Sequence, residues 1–304
     1  SGISDPFHDP DWIPHPLERD TFLKIATGAP AAYAEQILPL VLQLIQETGA
    51  WNDEEQRFDD AIWRWRMFGD AYSVSEGLLS ALEEALRRLA ESAPDEFSSH
   101  RAALEAARSS TADHVLARAY AAAPQYFAEE AAGWLVANPA RLDAGYMDAS
   151  HWVGRELVAA IWPHLDAGAR ESLERALVSY YPSWERSKEG HRSHGNAQHT
   201  ILSGIPEEEL SDAGRRRLAE LRRKFQAEPS PPRGIQVGRV GSPVPASALP
   251  KMSDVQWLNA LREYVNVEDR SRRRAFLAGS AMELGRALQE ETKKDPDRFV
   301  RLGL

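Results

Sequence analysis

The feature that most narrows what this chain can fold into is a three- and four-residue recurrence of large apolar side chains, broken at intervals by proline. Leu78, Leu82, Leu86 and Leu89 follow that step. So do Val153, Leu157, Ile161 and Leu165, and again Leu218, Leu221 and Phe225. Such spacing lays an apolar stripe along one face of a helix. Alternating apolar–polar runs of strand length are scarce. Boundaries are marked: Ser73 and Ser75 suit helix N-caps, Gly49 suits a C-cap, and Pro94, Pro124, Pro139 and Pro182 stand at breaks. "SAPDEF", "AAPQYF" and "KDPDRF" share Pro-x-x-Phe, with "NPARL" a looser fourth. Proline fits the first helical turn, where its missing N–H costs little, and the Phe three residues on opens the buried face. Helices of roughly 12–18 residues with short turns predict an all-α fold, an α-solenoid of antiparallel helix pairs of TPR or HEAT kind.

Length points the same way. A chain of 304 residues is long for one core. A repeat array avoids that limit because each unit buries its face on the next. One stretch departs from the helical pattern: "AEPSPPRGIQVGRVGSPVPASALPKM" (227–252) holds six prolines and three glycines. Its spaced Ile235, Val237, Val240 and Val244 predict an ordered loop packed on the helices. After it, "MSDVQWLNALREY" restarts a helix, with Ser253 as cap and Gln256 at the capping-box position. The expected organisation is a helical array over 1–226, the loop over 227–252, and C-terminal helices over 253–304 that continue the array.

Composition removes several function classes. A net charge of −10 argues against nucleic-acid binding, which needs a basic surface. With no cysteine there is no disulfide, no thiolate catalysis and no cysteine-ligated zinc, in keeping with a reducing compartment. The most apolar run, "QILPLVLQLIQ", falls short of the roughly 18–20 residues of a membrane span. The polar, proline-broken start has no methionine, and the chain stops at "RFVRLGL". An excised piece of a longer cytoplasmic protein is the expectation.

"EGHRSHGNAQHT" puts His191, His194 and His199 within nine residues. Gly190 and Gly195 bracket the first two, and neither an H-E-x-x-H nor an H-x-E pattern occurs. A zinc site usually needs further ligands and supporting hydrogen bonds. The reading is a polar turn, with Gln198 and His199 in the first turns of a helix ending near Ser203, and no metal. "GRVGSPVP" lacks the lysine and hydroxyl with which a P-loop meets phosphate and magnesium, so no nucleotide cofactor is expected there. "NDEEQRFDD" and "PEEEL" read as acidic helix starts favoured by the helix dipole. "RRRLAELRRKF" and "RSRRR" read as solvated helix faces rather than nucleic-acid contacts. In "AIWRWRMFGD", Trp63 and Trp65 would point to opposite sides of a helix, so either both are buried or one is exposed to a partner. Burial is the favoured outcome. Trp63, Trp65, Arg66, His191 and His194 are nonetheless the candidate partner-binding residues, because exposed Trp and Arg are enriched in interface hot spots. No catalytic residue is assigned.

The last hundred or so residues carry a resemblance. "HGNAQHTILSGIPEEELSDAGRRRLAELRRKF", "GRVGSPVPASALPKMSDVQWLNALREY" and "GSAMELGRALQEETKKDPDRF" occur in that order. They resemble the helical region downstream of the NTPase module in bacterial STAND-type (NACHT/NLR-like) proteins associated with antiphage defence. The resemblance covers about residues 191–300; the earlier part is similar only in style. It implies a protein-recognition fragment of a larger ATPase, whose partners are a phage protein and the ATPase module of the same parent chain, with no nucleic acid and no membrane. This chain has neither a nucleotide-binding module nor an effector domain, so none of the family's ATP-binding residues carries over. The alternatives are an internal scaffold that transmits nucleotide state between domains and, behind it, a histidine-dependent metalloenzyme.

Overall fold

The computed structural model of the chain describes residues 16–69, 73–186, 193–234, 241–264 and 281–301. Among these residues are fourteen α-helices and one two-stranded hairpin. The chain divides into two compact units, Ser1–Ile235 and Gln236–Leu304. The division falls inside the Pro/Gly-rich stretch.

The first unit opens with α1 (Pro16–Gly28) and α2 (Pro30–Thr48). The second of these runs through Pro39. A short hairpin follows, β1 (Ala50–Asn52) and β2 (Arg57–Asp59), then α3 (Val74–Ser92), α4 (Pro94–Ala107), α5 (Ser110–Ala122) and α6 (Pro124–Ala137). A 3-10 turn at Pro139–Leu142 leads to α7 (Trp152–Ile161), α8 (Ala167–Ser179), the single turn α9 (Ser183–Arg186), α10 (Asn196–Leu202) and α11 (Asp212–Phe225). Along this unit α1 packs on α3, α3 on α5 and α5 on α7, while α2 packs on α4 and α6 on α8.

The leucine stripe forms the middle of the core: Leu78, Leu82, Leu86 and Leu89 are all buried on α3. Truncating one such leucine to alanine costs about 2–5 kcal/mol. Ser73 caps this helix, its Oγ accepting from the Glu76 N–H at 3.2 Å. Ser75 lies inside the first turn and is buried. Gly49 ends α2 with a φ of −81°, so it does not use the left-handed region that favours glycine. Pro94 and Pro124 open α4 and α6. The phenylalanines three residues on, Phe97 and Phe127, are buried edge to face with ring centroids 5.1 Å apart. The Pro-x-x-Phe element thus starts a helix and supplies an anchor that meets its counterpart.

"NDEEQRFDD" is not a helix start. It forms the hairpin, pairing Ala50 with Asp59, Trp51 with Phe58 and Asn52 with Arg57. Asn52 Oδ1 accepts from the N–H groups of Glu54 and Glu55, both at 3.1 Å, which turns the chain after one strand. Trp51 and Phe58 meet edge to face at 5.0 Å.

The second unit contains α12 (Asp254–Tyr264), α13 (Ala281–Lys294) and α14 (Pro296–Arg301). Its own cluster joins Leu249, Trp257, Ala260, Leu284 and Phe299, with Val244 and Met252 packed against it. Ser253 and Gln256 form the expected reciprocal cap: the Ser253 N–H donates to Gln256 Oε1 at 2.8 Å, and the Gln256 N–H to Ser253 Oγ at 3.3 Å. Within the Pro/Gly-rich stretch Pro232 is buried and the Arg233 N–H donates to Asp148 Oδ2 at 2.8 Å, both in the first unit. Ile235, Val237 and Val240 lie outside the described residues, as does "RSRRR" at 270–274. No helix among the described residues is long and apolar enough to cross a membrane.

Candidate functional site

The segment after the hairpin, "AIWRWRMFG" (61–69), is a string of turns and bends rather than a helix. The cause is Asp60, fully buried. Its Oδ1 accepts from the Trp63 N–H at 2.6 Å and the Ile62 N–H at 3.2 Å, coiling the backbone around the carboxylate. Trp63 turns inward, and its indole N–H donates to the Ser75 carbonyl at 2.9 Å. Arg66 also turns inward. It donates to the Gly145 carbonyl at 3.2 Å, the Trp63 carbonyl at 3.0 Å and Thr111 Oγ1 at 2.8 Å. Both residues are interior ties of the fold and not exposed contacts. Trp65 is the exposed member, 63% accessible, with the Arg64 guanidinium stacked 4.9 Å from its ring centroid.

Trp65 stands on a cleft of about 400 Å³. The hairpin, the turn carrying Trp65, the 143–150 loop and α9 all contribute to its walls. Met147 and Trp184, 56% and 40% exposed, share the rim with Arg64 and Trp65, while Asp143 and Ser150 line the interior. Beneath it lies an ion cluster. Arg57, almost fully buried, pairs with Glu55 at 2.5 Å, donates to the Ala140 carbonyl at 3.1 Å, and stands 3.7 and 3.9 Å from carboxylate oxygens of Asp113 and Asp143. Burial works against the Arg57 charge, but the Glu55, Asp113 and Asp143 carboxylates hold its pKa above the ordinary value. Burial dominates at Asp113 and pushes its carboxyl up to about 6, despite the opposing arginines. The cleft floor is therefore charged and buried, and its rim carries two tryptophans.

Behind the rim, His151 is buried, and burial pushes its pKa down, leaving a neutral ring. Its Nδ1 is 2.9 Å from Ser150 Oγ and its Nε2 is 3.4 Å from the Tyr180 hydroxyl. The Asp143 carboxylate stands 3.6 Å from Nε2, too far for the hydrogen bond that would orient a Ser–His–Asp relay.

The histidine stretch is resolved into separate roles. His191 lies outside the described residues. His194 stacks on Tyr181 at 4.3 Å, nearly parallel. His199 is buried in α10 and stacks on Phe225 at 5.4 Å; burial lowers its pKa. The turn between them is pinned by Glu185, whose buried carboxylate accepts from the N–H groups of Gly195 at 2.5 Å and Ala197 at 2.8 Å. Among the described residues no three His, Asp or Glu side chains are grouped so as to hold a metal ion.

A larger cleft, about 740 Å³, runs along α8 with Trp162, Val178 and Leu210 among its apolar lining. Its charged residues pair with one another: Arg170 with Glu209 at 3.1 Å and Arg175 with Glu171 at 2.7 Å. Glu174 caps α11 by accepting from the Ser211 N–H and hydroxyl. No polar groups converge there as they do below Trp65.

Of the sequence candidates Trp65 stands on this rim, exposed where burial was the favoured expectation; Met147 and Trp184 lie about 80 and 120 residues further on and carry no pattern of their own. Comparison with family models, with curated proteins and with solved structures finds no match.

Proposed function

We propose that this chain is a protein-recognition helical module and that its contact surface is the Trp65–Trp184 cleft. The observation that carries this reading is the exposure of Trp65, Met147 and Trp184 beside Arg64 on one rim, above a buried base tied by Arg66, Thr111 and Asp60. Trp, Met and Arg on a preorganised scaffold are the residue types that dominate binding hot spots. The succession α1–α3–α5–α7 beside α2–α4 and α6–α8 supports a stacked array of helix pairs, a solenoid-like scaffold suited to presenting such a surface. Taken with the resemblance of residues 191–300, the reading extends to a sensor region of a STAND-type ATPase that engages a phage protein in the cytoplasm.

The test is made in cells carrying the full-length protein and challenged with phage. A Trp65→Ala/Trp184→Ala double variant is expected to abolish protection, while the purified chain keeps its thermal unfolding midpoint. Protection equal to wild type in that variant overturns the assignment of this cleft.

A further inference from the structure

On the other side of the hairpin lies a second, smaller pocket of about 250 Å³, lined by Gln56, Arg57, Arg108, Asp113, Asn138 and Arg141. Two observations set it apart. The first is charge. Three guanidiniums face one carboxylate, and that carboxylate, Asp113, reaches Arg57 and Arg141 only at 3.7 and 3.8 Å. Those distances exceed hydrogen bonds; Arg141 donates through Nη1 to the Trp134 carbonyl at 2.5 Å and stacks 4.9 Å from the Trp134 ring, with its Nε turned to the Asp113 side. Arg57 is balanced by Glu55 and Asp143, and its donors are taken by Glu55 and by the Ala140 and Asp143 carbonyls. Arg108 is exposed and has no ion pair among the described residues. With Arg57 balanced, the pocket wall presents Arg108 and Arg141 against the single carboxylate of Asp113, in a chain whose net charge is −10.

The second observation is backbone conformation. Among the described residues only three non-glycine positions have a positive φ, and two of them, Gln56 at +55° and Arg108 at +45°, line this pocket. Gln56 sits at the hairpin turn and Arg108 is the C-cap of α4, both places where glycine adopts the left-handed conformation at no steric cost. The Arg108 carbonyl accepts from the Phe58 N–H at 2.6 Å, which accounts for the bend of the backbone. It does not account for a long cationic side chain at a position glycine would fill more cheaply. Strained backbone of this kind gathers at ligand sites.

From these we infer that the pocket binds the dianion of a phosphate monoester, held by Arg108 and Arg141 above Arg57, with the Asn138 and Gln56 amides at its edge. Planar guanidiniums offer paired N–H donors that match phosphate oxygens, and a cluster of arginines is how proteins recognise phosphorylated side chains. The site opens apart from the Trp65 rim and shares only Arg57 with the lining of that cleft.

Calorimetric titration of the purified chain with inorganic phosphate, with a phosphoserine peptide, with its unphosphorylated counterpart and with acetate tests the assignment. Phosphate or the phosphopeptide is expected to bind at least about tenfold more tightly than acetate or the plain peptide. A preference for the phosphopeptide identifies a phosphorylated side chain as the ligand; a preference for phosphate identifies the free anion. Arg108→Gly carries the decisive contrast. Glycine relieves the left-handed strain, so the thermal midpoint should hold or rise, while phosphate affinity should fall by about tenfold or more. Trp65→Ala should leave phosphate binding unchanged. Acetate binding as well as phosphate, no heat with either phosphate or phosphopeptide, or full affinity in Arg108→Gly overturns the inference.

Discussion

The Thr111 hydroxyl donates to Asp60 Oδ2 at 2.6 Å across 51 positions of chain, and the same hydroxyl accepts from Arg66 at 2.8 Å. A single oxygen thus relays a buried carboxylate to a buried guanidinium, and joins the turns below the Trp65 cleft to α5. Removing the carboxylate leaves the Trp63 N–H and the Arg66 charge without their partner in the interior. Asp60→Ala is expected to destabilise the first unit by about 3 kcal/mol, and Thr111→Val by about 1–2 kcal/mol. Denaturant unfolding of the two single variants and the double variant checks this, and the double should fall short of the sum.

Two tryptophans two residues apart should behave oppositely. Trp63→Ala opens a cavity in the core and removes the indole hydrogen bond to the Ser75 carbonyl, a loss of about 3–5 kcal/mol. Trp65→Ala removes an exposed ring and should shift stability by no more than about 0.5 kcal/mol. Comparable losses for the two would show that Trp65 is a packing residue.

The helix pair α3–α5 carries a pH signature. Burial opposes ionisation of Glu83, but His114 and Arg118 outweigh it and hold the carboxyl down at about 2. Arg118 donates to Glu83 Oε1 at 2.8 Å. A carboxyl whose folded pKa lies below its ordinary 4.5 contributes stability that is fully present above that value and is lost as pH falls toward 2. Glu83→Gln should therefore cost about 3 kcal/mol near neutral pH, with the gap to wild type closing between those two values. A gap that stays constant across that range would exclude this linkage.

Gly195 has a φ of +89°, and a Cβ there would stand 2.6 Å from Leu221 Cδ2. Gly195→Ala is expected to cost about 1–3 kcal/mol, combining strain with displacement of α11 from α10. Unchanged thermal unfolding would mean that Glu185 does not hold the turn in this form.

What the sequence made legible follows periodicity. Leu78 through Leu89, the Pro-x-x-Phe starts and the Ser253–Gln256 cap are local patterns, and local patterns determine helices. The hairpin escaped because its charges imitate a helix start; the informative residues were Asn52, which turns the chain, and the facing Trp51 and Phe58. The burial of Trp63 agrees with the favoured reading, but the burial of Arg66 and the exposure of Trp65 escaped it. Arg66 is drawn inward by Thr111 and Gly145, tens of residues downstream, and no spacing rule reports a partner at that separation. Pro39 shows the converse: a helix-breaking residue is carried through α2, whose buried Leu38, Val41 and Ile45 outweigh the lost hydrogen bond.

The hairpin also bears on the order in which the molecule assembles. Strands of three residues do not persist alone in water. Here their support is remote: the Phe58 N–H needs the Arg108 carbonyl, and Arg57 needs the carbonyl of Ala140, 83 positions away. Neither acceptor is in place before α4, α5 and the turn after α6 have docked. The hairpin is therefore expected to close after the rate-limiting barrier, on a helical platform that already exists. In kinetic measurements Phe58→Ala should steepen the loss of native protein by accelerating unfolding, with the refolding rate nearly unchanged. The walls of both pockets would then be the last parts of the first unit to form and the first to open.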